Sequence, residues 1–98
     1  MTIQNGWNGS GNTTVIDRLV FWARDVTGSQ RLEFAGVDGH RLAGDVAESV
    51  ALEMELPEDV PYSLRDNTNA RMLVDDVALG SQIQSDSDLV VIPRSHLG

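Results

Sequence analysis

Apolar positions along the chain change period several times, and each change marks an element. In "VIDRLVFWARDVTGSQRLEFAGV", Leu19, Phe21 and Ala23 alternate with Val20, Trp22 and Arg24, a period of two that predicts a strand. "DVTG" follows as a turn, with Gly28 free to take positive φ. Leu32 and Phe34 alternate in a second strand, so the pair reads as a β-hairpin. After the connector "VDGHRLAG" the period becomes helical. Val46, Val50 and Met54 recur at fours with Ala47 and Ala51 beside them, which gives one apolar stripe. Asp45 is placed to cap this helix and Glu48 to complete a capping box. Pro57 and Pro61 in "PEDVP" end it. Glu53 and Glu55 stand at the end where the helix dipole disfavours carboxylates.

The second half carries shorter signals. "VPYSLRD" reads as a short strand holding Tyr62 and Leu64, "NTNA" as a turn, "RMLVDD" as a weak strand or extended stretch and "VALGSQI" as a short turn or 3-10 piece. "LVVI" is the last strand, ended by Pro93. A hairpin, one helix and further short strands make an α+β fold with the helix on one face of the sheet. Residues 1–14, rich in Gly, Asn, Ser and Thr, read as a flexible N-terminal arm, 15–93 as the folded domain, and 94–98 as a flexible C-terminal tail.

Two runs, "LVFWA" and "LVVI", are apolar at every position. Such runs mean burial on both faces of a sheet, yet one helix covers only one face. With Leu19, Phe21, Leu89 and Val91 toward the helix, Val20, Trp22, Val90 and Ile92 point away. If the strands are neighbours, these four form an outward patch, the mark of a partner or self-association site. The competing reading is that the N-terminal arm folds back over them with Trp7 as its anchor.

Composition narrows the chemistry. The 98 residues carry a net charge of −8, which argues against nucleic acid as a partner. There is no cysteine, hence no thiolate nucleophile, thiolate metal site or disulfide framework. No apolar run is long enough to span a bilayer, and the first residues lack the pattern of a signal peptide. A cytoplasmic setting fits. All seven basic residues are arginine. Either codon usage or avoidance of a reactive amine accounts for the missing lysines.

Enzyme constellations are not evident. Asp75 with Asp76, and Asp86 with Asp88, lack the ligand pattern of a cation loop and read as solvated turn carboxylates. His40 and His96 are far apart, without metal spacing. No phosphate-cradling loop or nucleophile elbow is present. The chain is expected to be no enzyme, with no bound metal or cofactor.

The hairpin turning on Val26, Thr27 and Gly28, the helix near Asp45, the closing "VALGSQIQSDSDLVVI" and the tail "PRSHLG" together resemble a ubiquitin-like β-grasp protein. That resemblance implies a mixed sheet of four to five strands with one helix packed on it. It is closest to the ubiquitin-like modifiers of bacterial ubiquitination-like operons. It implies partners: an adenylating activating enzyme that uses ATP, a conjugating enzyme, a deconjugating metallopeptidase, target proteins, and a second copy as a possible partner. In that family the C-terminal glycine is joined to amines, and it maps here to Gly98. Leu97 stands where the family has a further glycine. Arg94, Ser95, His96 and Leu97 would then be the tail that threads partner enzymes, and Val90 and Ile92 a docking position.

The tail suits such a role physically. A glycine lets backbone approach catalytic groups closely, and Pro93 stiffens the exit from the sheet. A lysine-free modifier would also resist side-chain conjugation to itself. Two other readings resemble this one: a non-covalent β-grasp module, such as the ubiquitin-like components of type VII secretion systems, and a sulfur carrier.

Overall fold

A computed structural model describes residues 15–94. Trp7 and the residues Ser95, His96, Leu97 and Gly98 lie outside the described residues. The strands are β1 (Arg18–Asp25), β2 (Arg31–Asp38), β3 (Tyr62–Asp66), β4 (Arg71–Met72) and β5 (Ser87–Pro93), with one helix, α1 (Ala43–Glu53). A 3-10 turn, Leu79–Ser81, precedes β5. The sheet is mixed, in the order β2-β1-β5-β3-β4. β1 pairs parallel with β5 and antiparallel with β2, while β3 is antiparallel to both β5 and β4. None of the described helices is long and apolar enough to cross a membrane.

The two alternations seen in the sequence set the core. Leu19, Phe21 and Ala23 of β1 and Leu89 and Val91 of β5 are fully buried on the helix side. The stripe of α1 meets them: Val46, Ala47, Val50, Ala51 and Met54 are all buried. The alanines let the helix lie close to the sheet. Phe21 stacks on Phe34 of β2, ring centroids 5.5 Å apart. The β1–β2 turn closes with Gly28 N–H donating to the Asp25 carbonyl at 3.0 Å, and Gly28 takes φ +74° there.

The helix begins two residues before Asp45, and the capping box does not form. Ncap is Leu42, with no side-chain cap. The free N–H groups of Ala43 and Gly44 instead donate to the carbonyls of Val77 and Asp75, each at 3.0 Å. The segment after β4 thus caps the helix with its own backbone, and a local side-chain cap has nothing left to satisfy. Asp45 sits in the first turn, where its charge complements the dipole. Glu48 reaches out of the helix and accepts the Tyr62 N–H at 2.9 Å.

Past the C-cap Met54, the chain turns out of the helix through Glu55, which sits in the left-handed region, φ 59°. The Glu55 N–H donates to Leu52 O at 3.0 Å and the Leu56 N–H to Ala51 O at 2.9 Å, the two bonds of a Schellman motif. This is the physical account of the unfavourable carboxylates at this end: the stop is made by backbone geometry.

Two glycines read as loop residues prove structural. Gly80 N–H donates to Gly39 O at 2.8 Å, Gly39 N–H to Asp17 O at 2.8 Å, and Ile16 N–H to Gly80 O at 3.1 Å. A Cβ on Gly39 would stand 1.7 Å from the Ile16 carbonyl oxygen, and one on Gly80 2.4 Å from the same atom. Three chain segments cross here, backbone against backbone.

Candidate functional site

Two features of the body face outward in a way the core does not need: the sheet face opposite α1, and the point where the chain leaves β5. Register fixes the first. Trp22 is opposite Asp88, and Arg24 opposite Val90, across β1 and β5. Val90 is in turn opposite Arg65, and Ile92 opposite Ser63, across β5 and β3. Trp22 is opposite Glu33, and Arg24 opposite Arg31, across β1 and β2. Val20, Trp22, Val90 and Ile92 therefore share the face away from the helix.

They do not make one open apolar patch. Val90 is only 9% exposed, while Val20, Trp22 and Ile92 are half-buried. The reason lies in their neighbours. Val90 has arginines in register on both sides, Arg24 and Arg65, and arginine stems cover apolar surface while their heads stay in water. The Arg31 guanidinium lies over the Trp22 ring, 4.1 Å from its centroid, a cation–π contact. Arg24 forms an ion pair with Asp88. The surface is an apolar floor under a mixed rim, arginines on both sides of Val90 and the carboxylates of Glu33 and Asp88 in register on either side of Trp22.

The second feature is the exit. Pro93 pairs with Tyr62 as the last residue of β5, and the Arg94 N–H donates to Pro61 O at 2.8 Å. Arg94 reaches past Ser63 to Asp75: its Nε is 3.3 Å from Asp75 Oδ2, and the Ser63 hydroxyl donates to the same oxygen at 3.0 Å. Because β5 runs parallel to β1, this exit lies at the end of the sheet that carries the β1–β2 turn. An open groove of about 300 Å³ beside it is lined by Val26, Thr27, Leu56, Val60, Tyr62 and Pro93 among others.

The acidic pairs read as solvated turn carboxylates are in part engaged. Asp75 holds Ser63 and Arg94, and Asp88 holds Arg24; sequence spacing gave no signal for either partner. His40 stands between Asp17 and Asp38, at 3.4 and 3.6 Å. Among the described residues no group of three or more His, Cys, Asp or Glu is placed to hold a metal ion.

The order β2-β1-β5-β3-β4 with one helix across it is the ubiquitin-like β-grasp, and solved structures agree. The ubiquitin of Caldiarchaeum subterraneum superposes with a TM-score of 0.62 at 24% identity, covering 79% of this chain and 94% of that one. A ubiquitin-like domain from Arabidopsis thaliana gives 0.60 at 13%, covering 93% of each. A chain from a toluene 4-monooxygenase complex gives 0.64 at 16%, covering 78% of this chain and 98% of that one. Neither a protein-family model nor a curated protein matches the sequence.

Proposed function

We propose that this chain is a ubiquitin-like protein modifier of the kind encoded in bacterial ubiquitination-like operons. Its Gly98 carboxylate attacks the α-phosphorus of ATP in an activating enzyme and pyrophosphate leaves. That enzyme's nucleophile then displaces AMP, and a target amine, after passage through a conjugating enzyme, displaces the nucleophile to form an amide. A peptidase reverses the last step by hydrolysis. The chain supplies the acyl group and the docking surface, and the enzymes supply the catalysis.

The observation that carries this reading is the placement of β5. It is the central strand, pinned on both sides, and it delivers Arg94 out of the sheet beside an apolar groove. A rigid body that ends in a defined exit suits delivery of a terminal carboxylate into another protein's active site. The rimmed face with Trp22, Val90 and Ile92 supports docking of the same enzymes.

The test is intact mass measurement after incubation with ATP and a candidate adenylating enzyme from a bacterial ubiquitination-like operon. Wild type should gain the mass of AMP or form a covalent enzyme adduct. Gly98→Trp should do neither while keeping its fold. Unimpaired adenylation of Gly98→Trp would overturn the role given to Gly98. A second reading, a non-covalent interaction module, is favoured by the presence of this fold within a monooxygenase complex. It expects deletion of residues 95–98 to leave function intact.

A further inference from the structure

The sheet has two edges, and they differ. β4 at one edge has two residues. β2 at the other has eight, and among the described residues no strand pairs with its outer side. A long unpaired edge is a template for another strand. α1 packs on β3 and β5, so Leu32 and Phe34, on the helix side of β2, are only half-buried.

The ladder fixes which residues of β2 offer their backbone to the edge. The Val20 carbonyl accepts the Asp86 N–H at 2.7 Å, on the β5 side of β1. Successive residues of a strand turn their N–H and C=O groups to opposite sides, so Phe21 and Ala23 turn theirs to β2. They stand opposite Phe34 and Leu32, which turn back toward β1. Arg31 and Glu33 therefore present their N–H and C=O groups outward. The usable stretch is short. The register shifts between Leu19 and Phe21, and Gly36 takes φ +67°, a bulge that ends regular pairing beyond Phe34.

We propose that two copies of this chain pair β2 against β2, antiparallel, about a two-fold axis at Leu32. Register selects a second copy as the occupant. Self-pairing must match the outward groups of Arg31 and Glu33. Centred on Glu33 it sets glutamate against glutamate, and centred on Arg31 it sets arginine against arginine. Centred on Leu32 it sets Arg31 against the partner's Glu33, and the two-fold makes that pair twice, with Leu32 against its own copy on the helix side. Both charged side chains are exposed, and among the described residues neither has an oppositely charged group within ion-pair distance. They are the only charges in the paired stretch: Asp38 and its register partner Arg18 lie past the bulge, and Asp88, beside Trp22, is held by Arg24. An isologous contact uses both edges at once, so assembly stops at a dimer. The proposal does not rest on conjugation and is tested without partner enzymes.

The experiment is sedimentation velocity on the intact chain over rising concentration, with Arg31→Glu, Glu33→Arg and the double variant carrying both changes. Amide NMR spectra check that each variant folds. Wild type should reach a limiting dimer. Each single variant sets like charges opposite each other twice and should raise the dissociation constant at least about tenfold. The double variant restores opposite charges in the same register and should recover the dimer. Amide hydrogen exchange supplies the second readout: the Arg31 and Glu33 amides should exchange fast in dilute protein and slow down as it is concentrated, while those of Leu32 and Phe34 stay protected throughout. A wild type that stays monomeric at the highest concentration overturns the proposal, as does growth beyond a dimer. A dimer that the single variants leave intact, or that the double variant fails to recover, does so too. Slow exchange of Arg31 and Glu33 in a monomer would overturn it by giving the edge to the N-terminal arm instead.

Discussion

Arg94, the first residue past the sheet, is anchored by its side chain to Asp75, Nε to Oδ2 at 3.3 Å. The same carboxylate oxygen takes the Ser63 hydroxyl, so one group on the loop after β4 fixes both β3 and the exit. The pair is half-exposed, and surface ion pairs contribute only about 0.2–1 kcal/mol. Asp75→Asn should therefore lower stability by no more than about 1 kcal/mol, yet it should free Arg94. The checks are urea unfolding and the heteronuclear NOE at the Arg94 amide, which should fall in the variant. An unchanged NOE would show that the Pro61 carbonyl alone holds the exit.

Glu55 is the place where the sequence is worst suited to the structure it adopts. A side chain with a Cβ at φ 59° is strained by about 1 kcal/mol, and a carboxylate at a helix C-terminus opposes the dipole. Glycine removes both, at the cost of extra freedom in the unfolded chain. Glu55→Gly should stabilise by about 0.5–1 kcal/mol, a rise of roughly 3–6 °C in Tm. Calorimetry of the two proteins decides it, and a lower Tm in the variant would mean that Glu55 makes a contact of its own.

Gly39 and Gly80 predict the opposite kind of outcome. The Ile16 carbonyl occupies the space a Cβ on Gly39 would need, 1.7 Å away, and that carbonyl belongs to backbone, which does not rotate aside. Gly39→Ala should cost about 3 kcal/mol or more and lower Tm by at least about 10 °C. Gly28→Ala serves as the control: nothing lies within 4 Å of its Cβ, so only the φ +74° strain is felt, about 1 kcal/mol. Equal melting temperatures for the two variants would remove the crossing as the cause.

How much of this was legible in the chain follows from the range of each interaction. The period-two and period-four patterns placed β1, β2, α1, β3 and β5, because burial acts on residues a fixed step apart. They also placed Val20, Trp22, Val90 and Ile92 on one face. The helix start was misread because Ala43 and Gly44 are capped by Val77 and Asp75, more than thirty residues away in sequence. The arginine rim over Val90 was missed for the same reason. Arg24 and Arg65 meet Val90 only once the strand order is known, and strand order is not written in any local period. Gly39 and Gly80 looked like loop punctuation, since a crossing of three backbones leaves no periodic trace.

Asp25 is the group whose titration should be visible in stability. It ends β1 with 8% exposure. Burial by itself would raise its pKa, but the Thr27 hydroxyl, the Gln30 N–H and Ser29 all donate to the ionised form, and the net result is a value below the ordinary 3.8. A depressed carboxylate pKa means that the unfolded chain takes up the proton first as pH falls. Its stabilising contribution is thus complete well above 3.8 and is lost as pH drops through the lower folded value. Asn in its place keeps one acceptor oxygen and no charge. Asp25→Asn should be less stable by about 1 kcal/mol at neutral pH, with the gap closing as the solution is taken below pH 3.8. Urea midpoints of both proteins at a series of pH values give that difference directly, and subtraction removes the titration of the other carboxylates. A gap that stays constant from neutral to acid would mean that the charge of Asp25 contributes nothing and that the turn is held by Gly28 and its backbone hydrogen bond alone.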